Sequence, residues 1–350
     1  MATEWIERYL SSAKQLSALD TTNTAWQGEV AFGYHNLGAL AYESGYIDTA
    51  QQHFERGLAQ LEHLQSVSGE LIYRTEIADA LSFLGDIATD RGALTQSLEY
   101  HQSSVAAVRD LYDQDPKNTS HQRLLAQYLT VASEAEAVLG NASKAEELVR
   151  EAVTHYDQLT DIDPSNLWLA TSRLNALVKH GYLMLAGRRW EGVERLLPAV
   201  LDELGILTNS GHLDRDVHAI STDAHLLRAH MLGMQSDHAR ALDYLSKAQA
   251  NLSAMSEKGW ENPRWRGKQA QVYLLRAEYQ AATQDIAGAN QSLAMAGETL
   301  NHVQEVSDPH YLLDPLARYL YQRDRSDEAR QVVAVLEERK YVPLIPWPAL

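Results

Sequence analysis

Small residues recur along this chain at a nearly fixed interval. They are Ala50, Ser97, Ala145, Gly192, Ala241, Ala289 and Ala329, spaced 47, 48, 47, 49, 48 and 40 residues apart. Seven residues after each stands a second small residue, at Gly57, Ser104, Ala152, Ala199, Ala248 and Ala296, with Leu336 the exception. Between them lie Phe54, His101, Val149, Leu196, Leu245, Leu293 and Val333, mostly apolar. Two helices approach closely only where side chains shrink, so these positions mark helix crossings. A fixed period with small residues at fixed phases predicts a stacked array of two-helix units, each too poor in apolar surface to fold alone.

Each unit reads as a helix A and a helix B of roughly 18–20 residues, split by a glycine or polar break. The breaks are at 44–46, 91–93, 140–142, 187–189, 235–237, 284–286 and 324–326. A glycine there suits the left-handed turn that ends a helix. Asp115-Pro116, Asp163-Pro164, Asn262-Pro263 and Asp308-Pro309 stop the B helices and open the next unit. No stretch alternates with period two, so the predicted fold is all-α. Residues 1–24 form an N-terminal helix, either a cap or the remnant of a preceding repeat. Residues 25–340 form the array of about seven units. In 341–350, Pro343, Pro346 and Pro348 forbid helix, and Leu344, Ile345 and Trp347 are expected to fold back on the last helix.

Composition excludes several functions. Zero cysteines rule out disulfides, thiolate metal sites and cysteine nucleophiles. The net charge of -17 is uneven: residues 1–175 hold 11 Lys and Arg against 25 Asp and Glu, whereas 176–350 hold 19 against 22. Such a chain is poorly suited to phosphate backbones, so no nucleic-acid partner is expected. No long apolar run predicts a membrane span, and the start shows no signal peptide. The expected compartment is the cytoplasm, or the periplasm if the chain is cut from a membrane-anchored parent.

Residues 33–62, GYHNLGALAYESGYIDTAQQHFERGLAQLE, resemble a tetratricopeptide repeat. Leu37-Gly38 match the family's Leu-Gly, and Ala50, Phe54 and Gly57 match its Ala, Phe and Ala. The second unit keeps Leu84-Gly85, Ser97 and Ser104, and the phase runs over 26–340. The repeats are longer than the family's usual 34 residues. The resemblance implies a right-handed superhelix whose A helices line a concave groove holding peptides or partner proteins, without catalysis. The joints DPKN (115–118) and DPSN (163–166) are similar to those of long-repeat arrays in bacterial signalling proteins, where the array follows a kinase or winged-helix module. The family's carboxylate clamp uses Lys and Asn on the A helices. Asn36 holds a comparable place, and Phe83 and Val131 stand there in the next units.

Four groups of residues carry candidate chemistry. Lys179, Arg228 and Arg276, 49 and 48 residues apart, would form one basic row gripping a partner's carboxylates, or would pair with acids on adjoining helices. Glu76, Asp79, Asp86 and Asp90 share one face of a helix, so that Asp79 and Asp86 would line an acidic stretch of groove, or the four would form a plain solvated face. His212, His218, His225 and His230 have metal-ligating chemistry, but His218 and His225 lie about 10 Å apart along one helix, too far to share one ion. Trp260, Arg264, Trp265, Arg266 and Lys268 interleave aromatics with cations, which reads as packing around a proline turn.

No nucleophile elbow, phosphate loop, dinucleotide fingerprint or zinc-protease motif is present, so neither catalysis nor a metal or cofactor is expected. The expectation is a protein- or peptide-binding scaffold using its A-helix face, with Lys179, Arg228, Arg276, Asp79, Asp86 and Asn36 as anchors. Self-association through a terminal repeat is a further open partner. The alternative is a sensory or regulatory module of a larger bacterial signalling protein that binds a ligand or controls an effector.

Overall fold

The computed structural model describes residues 2–209, 211, 214–259, 262–303 and 308–347, so His212, Trp260 and Pro348 lie outside the described residues. The chain is all-α. Among the described residues there are fifteen helices and no strand. α1 (Ala2–Leu19) precedes the array. The A helices are α2 (Thr24–Glu43), α4 (Leu71–Asp90), α6 (Thr119–Val138), α8 (Leu167–Ala186), α10 (Arg215–Met234), α12 (Pro263–Ala282) and α14 (His310–Gln322). The B helices are α3 (Ile47–Ser68), α5 (Leu94–Gln114), α7 (Ala142–Ile162), α9 (Trp190–Asn209), α11 (His238–Glu257), α13 (Ile286–Leu300) and α15 (Ser326–Glu338). Two compact units divide the chain, residues 1–135 and 136–350, with the boundary inside α6.

Within each unit successive helices pack as antiparallel hairpins, and small residues set the crossings. Ala50, Ser97, Ala145, Ala241 and Ala329 are each at most 1 % exposed. A side chain at Gly38 would meet the Phe54 ring at 3.0 Å. One at Gly85 would strike the His101 imidazole at 2.5 Å, so that ring and the absent side chain are complementary.

The fourth hairpin departs from the sequence reading by one residue. There Gly192 is half-buried and Ala199 exposed, while Val193 and Val200 take the buried positions at 0 % and 1 %. The turns confirm the slip. The left-handed residue between helices A and B is Gly45, Gly92, Gly140, Arg188, Ser236, Gln284 and then Asp324. The glycine Gly187 sits one residue early with φ -77°, so Arg188 adopts the left-handed conformation at φ 57°. Side chains avoid this region, but a turn that satisfies the last helical carbonyls outweighs the strain. Restoring that residue makes the spacing from Ala145 to Val193 to Ala241 an even 48.

Among the described residues no helix is long and apolar enough to cross a membrane.

Candidate functional site

The ninth residue of each A helix from α4 to α12 is polar: Asp79, Gln127, Asn175, Asp223 and Gln271. In α2 the same place is Phe32. A residue at one phase of consecutive parallel helices faces its counterparts, so these polar groups are neighbours within each unit.

In residues 1–135 Asp79 bonds to side chains one position along on α6 and three along on α2. The Tyr128 hydroxyl donates to Asp79 Oδ1 at 2.9 Å, and His35 Nε2 lies 2.9 Å from Asp79 Oδ2. One carboxylate thus joins α2, α4 and α6. His35 is further fixed between Phe54 and Phe83, with ring centroids 5.3 and 5.8 Å away. One turn earlier, burial pushes the Glu76 carboxyl up, an effect that His35 opposes and Asp79 reinforces. Asp86 is half-buried on the same helix, and Asp90 accepts from the Tyr42 hydroxyl at 2.9 Å. Asn36 is exposed.

In residues 136–350 the same phase opens into a cavity of about 320 Å³. α8 contributes Trp168, Thr171, Ser172, Asn175 and Lys179. α10 and its cap contribute Asp214, Asp216, Ala219, Ile220 and Asp223, and α12 contributes Lys268. Every lining residue comes from an A helix or its cap. Asp214 caps α10 by accepting from the Val217 amide at 2.9 Å. The Lys268 ammonium bonds both oxygens of Asp223, whose side chain is only 12 % exposed. The Tyr182 hydroxyl donates to the Asp223 carbonyl at 3.1 Å. Trp168 stands 42 % exposed on the lining.

The predicted basic row does not form a line. Lys179 is twelve residues past the start of α8, whereas Arg228 and Arg276 are thirteen past the starts of α10 and α12. One residue turns a side chain by about 100°. Lys179 therefore reaches the cavity, while Arg276 turns towards the preceding B helix and donates to the Leu245 carbonyl at 3.3 Å. Burial pulls its guanidinium below the usual arginine range. Arg228 lies against the Met231 sulfur at 3.9 Å. The residue of α8 in their phase is His180, which faces Glu146 of α7 at 3.5 Å.

The histidines separate. His218 bonds Asn251 at 3.1 Å, His225 rests on Tyr244 with centroids 5.9 Å apart, and His230 bonds Gln271 at 3.1 Å. Among the described residues no three His, Asp or Glu side chains gather as metal ligands. Arg264 stacks on Tyr311 at 5.3 Å and Trp265 packs on the α10–α12 core.

No family model matches the chain, and no curated protein matches it. Solved structures do. The Rap conjugation gene regulator of the plasmid pLS20, in complex with the Phr* peptide, is similar at TM-score 0.56 and 15% identity, covering 90% of this chain and 85% of that one. A Rap protein complexed with competence and sporulation factor is similar at TM-score 0.56 and 13% identity, covering 96% and 86%. BtubC from P. vanneervenii is similar at TM-score 0.51 and 14% identity, covering 74% and 93%. The fold is the tetratricopeptide-repeat type of helical array.

Proposed function

We propose that the chain is a non-enzymatic scaffold that takes a peptide, or an extended segment of a partner protein, on its A-helix face. The observation that carries this reading is the cavity of about 320 Å³ built wholly from A helices and their caps. Its size fits one or two side chains of a ligand lying across the helices. Hydroxyls, an amide, carboxylates, an ammonium and an indole offer both donors and acceptors to a peptide backbone and a charged side chain. The likeness to a Rap regulator holding the Phr* peptide supports the ligand class. That neighbour's role as a gene regulator also supports the regulatory alternative.

Lys179 is the anchor of choice, while Arg276 holds helices together. The test is capture of partners from the native lysate, read by mass spectrometry beside thermal melting. Lys179→Glu should reduce capture about tenfold and shift melting by less than Arg276→Glu does. Arg276→Glu should lower stability by about 2 kcal/mol, because it leaves a half-buried charge against a carbonyl. Reversing Lys179, Arg228 and Arg276 together should therefore lose capture and also lower stability. Unchanged capture by Lys179→Glu would remove the cavity from the binding surface.

A further inference from the structure

Residues 341–347 leave the last hairpin and run across unit 136–350. The Val342 amide donates to the Val138 carbonyl at 2.7 Å, at the end of α6. Its side chain lies where a Cβ on Gly140 would meet it at 3.0 Å. Ile345 packs against the cluster shared by α8, α9 and α10. Arg318 of α14 donates to the Ile345 carbonyl and, at 3.3 Å, to the Pro346 carbonyl. The Trp347 indole donates to Asp314 at 2.7 Å, and the same carboxylate holds Arg318 at 2.9 Å.

A cap for the last hairpin needs to cover only α14 and α15. This segment does that, with Tyr341 and Trp347 packed on the α14–α15 core, and it also reaches helices more than a hundred residues earlier, held in the manner of a ligand. Pro343 and Pro346 keep it out of helix, with a bend at Leu344 and Ile345, and remove two backbone donors, leaving its carbonyls as the groups to be read. A planar guanidinium reads two of them, and a carboxylate reads the aromatic N–H. The Arg318 and Asp314 side chains are only 19 % and 15 % exposed, so the clamp is built into the fold. The segment itself is less enclosed: every residue from Tyr341 to Trp347 keeps part of its surface open, Val342 as much as 46 %. A firm clamp on a loosely covered segment is the arrangement of a displaceable occupant.

We propose that residues 341–347 are an intramolecular ligand of the Arg318–Asp314 clamp, and that the clamp's external partner is a non-helical apolar segment carrying proline and tryptophan, which takes their place. This rests on the A-helix face being a recognition surface, and it adds a second, apolar register to the polar cavity. A tethered segment competes at an effective concentration of about a millimolar, so an added peptide sees little free clamp until the tether is released.

The test uses the full chain and a fluorescent peptide of residues 341–347, with binding read by anisotropy and folding by circular dichroism. Ile345→Asp with Trp347→Ala should bind the peptide at least about tenfold more tightly than the unaltered chain. Adding Arg318→Ala to that variant should abolish the gain, whereas adding Lys179→Glu should leave it within about twofold. Trp347→Phe alone, which keeps the ring and loses the N–H donor, should give an intermediate gain. Equal binding to all chains, or none to a folded released variant, would overturn the proposal. Loss of helix in the released variant would make the segment core and overturn it too. Concentration-dependent dimerisation through the freed segment would give the clamp a second copy instead of a peptide. Loss of partner capture by Lys179→Glu beside any of these results would leave the cavity reading standing.

Discussion

Unit 1–135 and unit 136–350 use one helical phase in opposite ways. In the first, Asp79 makes internal bonds to His35 and Tyr128 that join three A helices. In the second, Asn175 and Asp223 line a cavity, and the far half of the face is held by a segment of the same chain. A repeat fixes where a side chain points but not whom it meets. Tyr128, the tenth residue of α6, reaches the carboxylate one helix away, whereas the tenth residue of α8 is Ala176, which has nothing to donate. Both carboxylates are bonded at both oxygens, Asp79 by a phenol and an imidazole and Asp223 by one ammonium, so the two units differ in the partner and not in the acid.

Acid should separate the two units most. Burial, reinforced by Arg264 and Arg339, lowers His310 to about 3. Burial with Arg318 lowers His230 to about 3, and burial with Lys247 lowers His225 to about 4. Unfolded histidine titrates near 6.5. Between about pH 6.5 and 4 the unfolded chain binds more protons, so the stability these neutral rings contribute is complete above 6.5 and lost as pH falls. In unit 1–135 burial lowers His53 in the same sense but raises Glu76, whose contribution has the opposite sign; unit 136–350 also holds one raised carboxyl, Glu278, set against its three strongly lowered rings. Melting should fall by on the order of 10 °C from pH 7 to pH 4.5. Hydrogen exchange at pH 4.5 should rise first in α10, α12 and α14, and His310→Phe should flatten the profile. Earlier opening of α2 and α4 would reverse the comparison.

The next separation tests the shared phase directly. Asp79→Ala leaves the Tyr128 hydroxyl and the His35 ring without their acceptor, and should cost about 2–3 kcal/mol. Asn175→Ala, at the same position but on a cavity wall, should change stability by less than about 0.5 kcal/mol. Denaturant unfolding of the two variants measures both. Similar costs would mean that Asn175 is structural and the cavity incidental.

Much of this was legible in the chain. The helix pairs, their order and the crossing residues followed from small side chains, because close packing admits no others. What was missed came from taking Gly192 and Gly187 at face value. Both glycines sit one residue off the repeat phase, and counting from them put Lys179 in line with Arg228 and Arg276. The polar ninth position was visible as Asp79, Gln127, Asn175, Asp223 and Gln271, 48 residues apart, but only its structural surroundings tell a closed bond from an open wall. The reach of residues 341–347 to Val138 and Gly140 had no sequence signal, since the contacting residues lie about two hundred positions apart and share no repeat phase.

The smallest effect examines that slip, with one glycine from each unit. Gly85 faces the His101 ring at 2.5 to 2.8 Å from a would-be Cβ, and His101 is 2 % exposed and aromatic. Gly85→Ala forces a rigid ring to move and should cost about 1–3 kcal/mol, as overpacking does. Gly192 faces only the flexible Met184 side chain, with its sulfur at 2.6 Å from the would-be Cβ. Methionine repacks easily, and alanine in a helix gains up to about 1 kcal/mol over glycine. Gly192→Ala should therefore leave stability within about 0.5 kcal/mol, while Val193→Ala should lose more than about 1 kcal/mol, because Val193 is the residue at the crossing. Chemical denaturation of the three variants decides it. A larger loss at Gly192 than at Val193 would restore the uncorrected phase, return Lys179 to the row of Arg228 and Arg276, and remove the geometric reason for its place in the cavity.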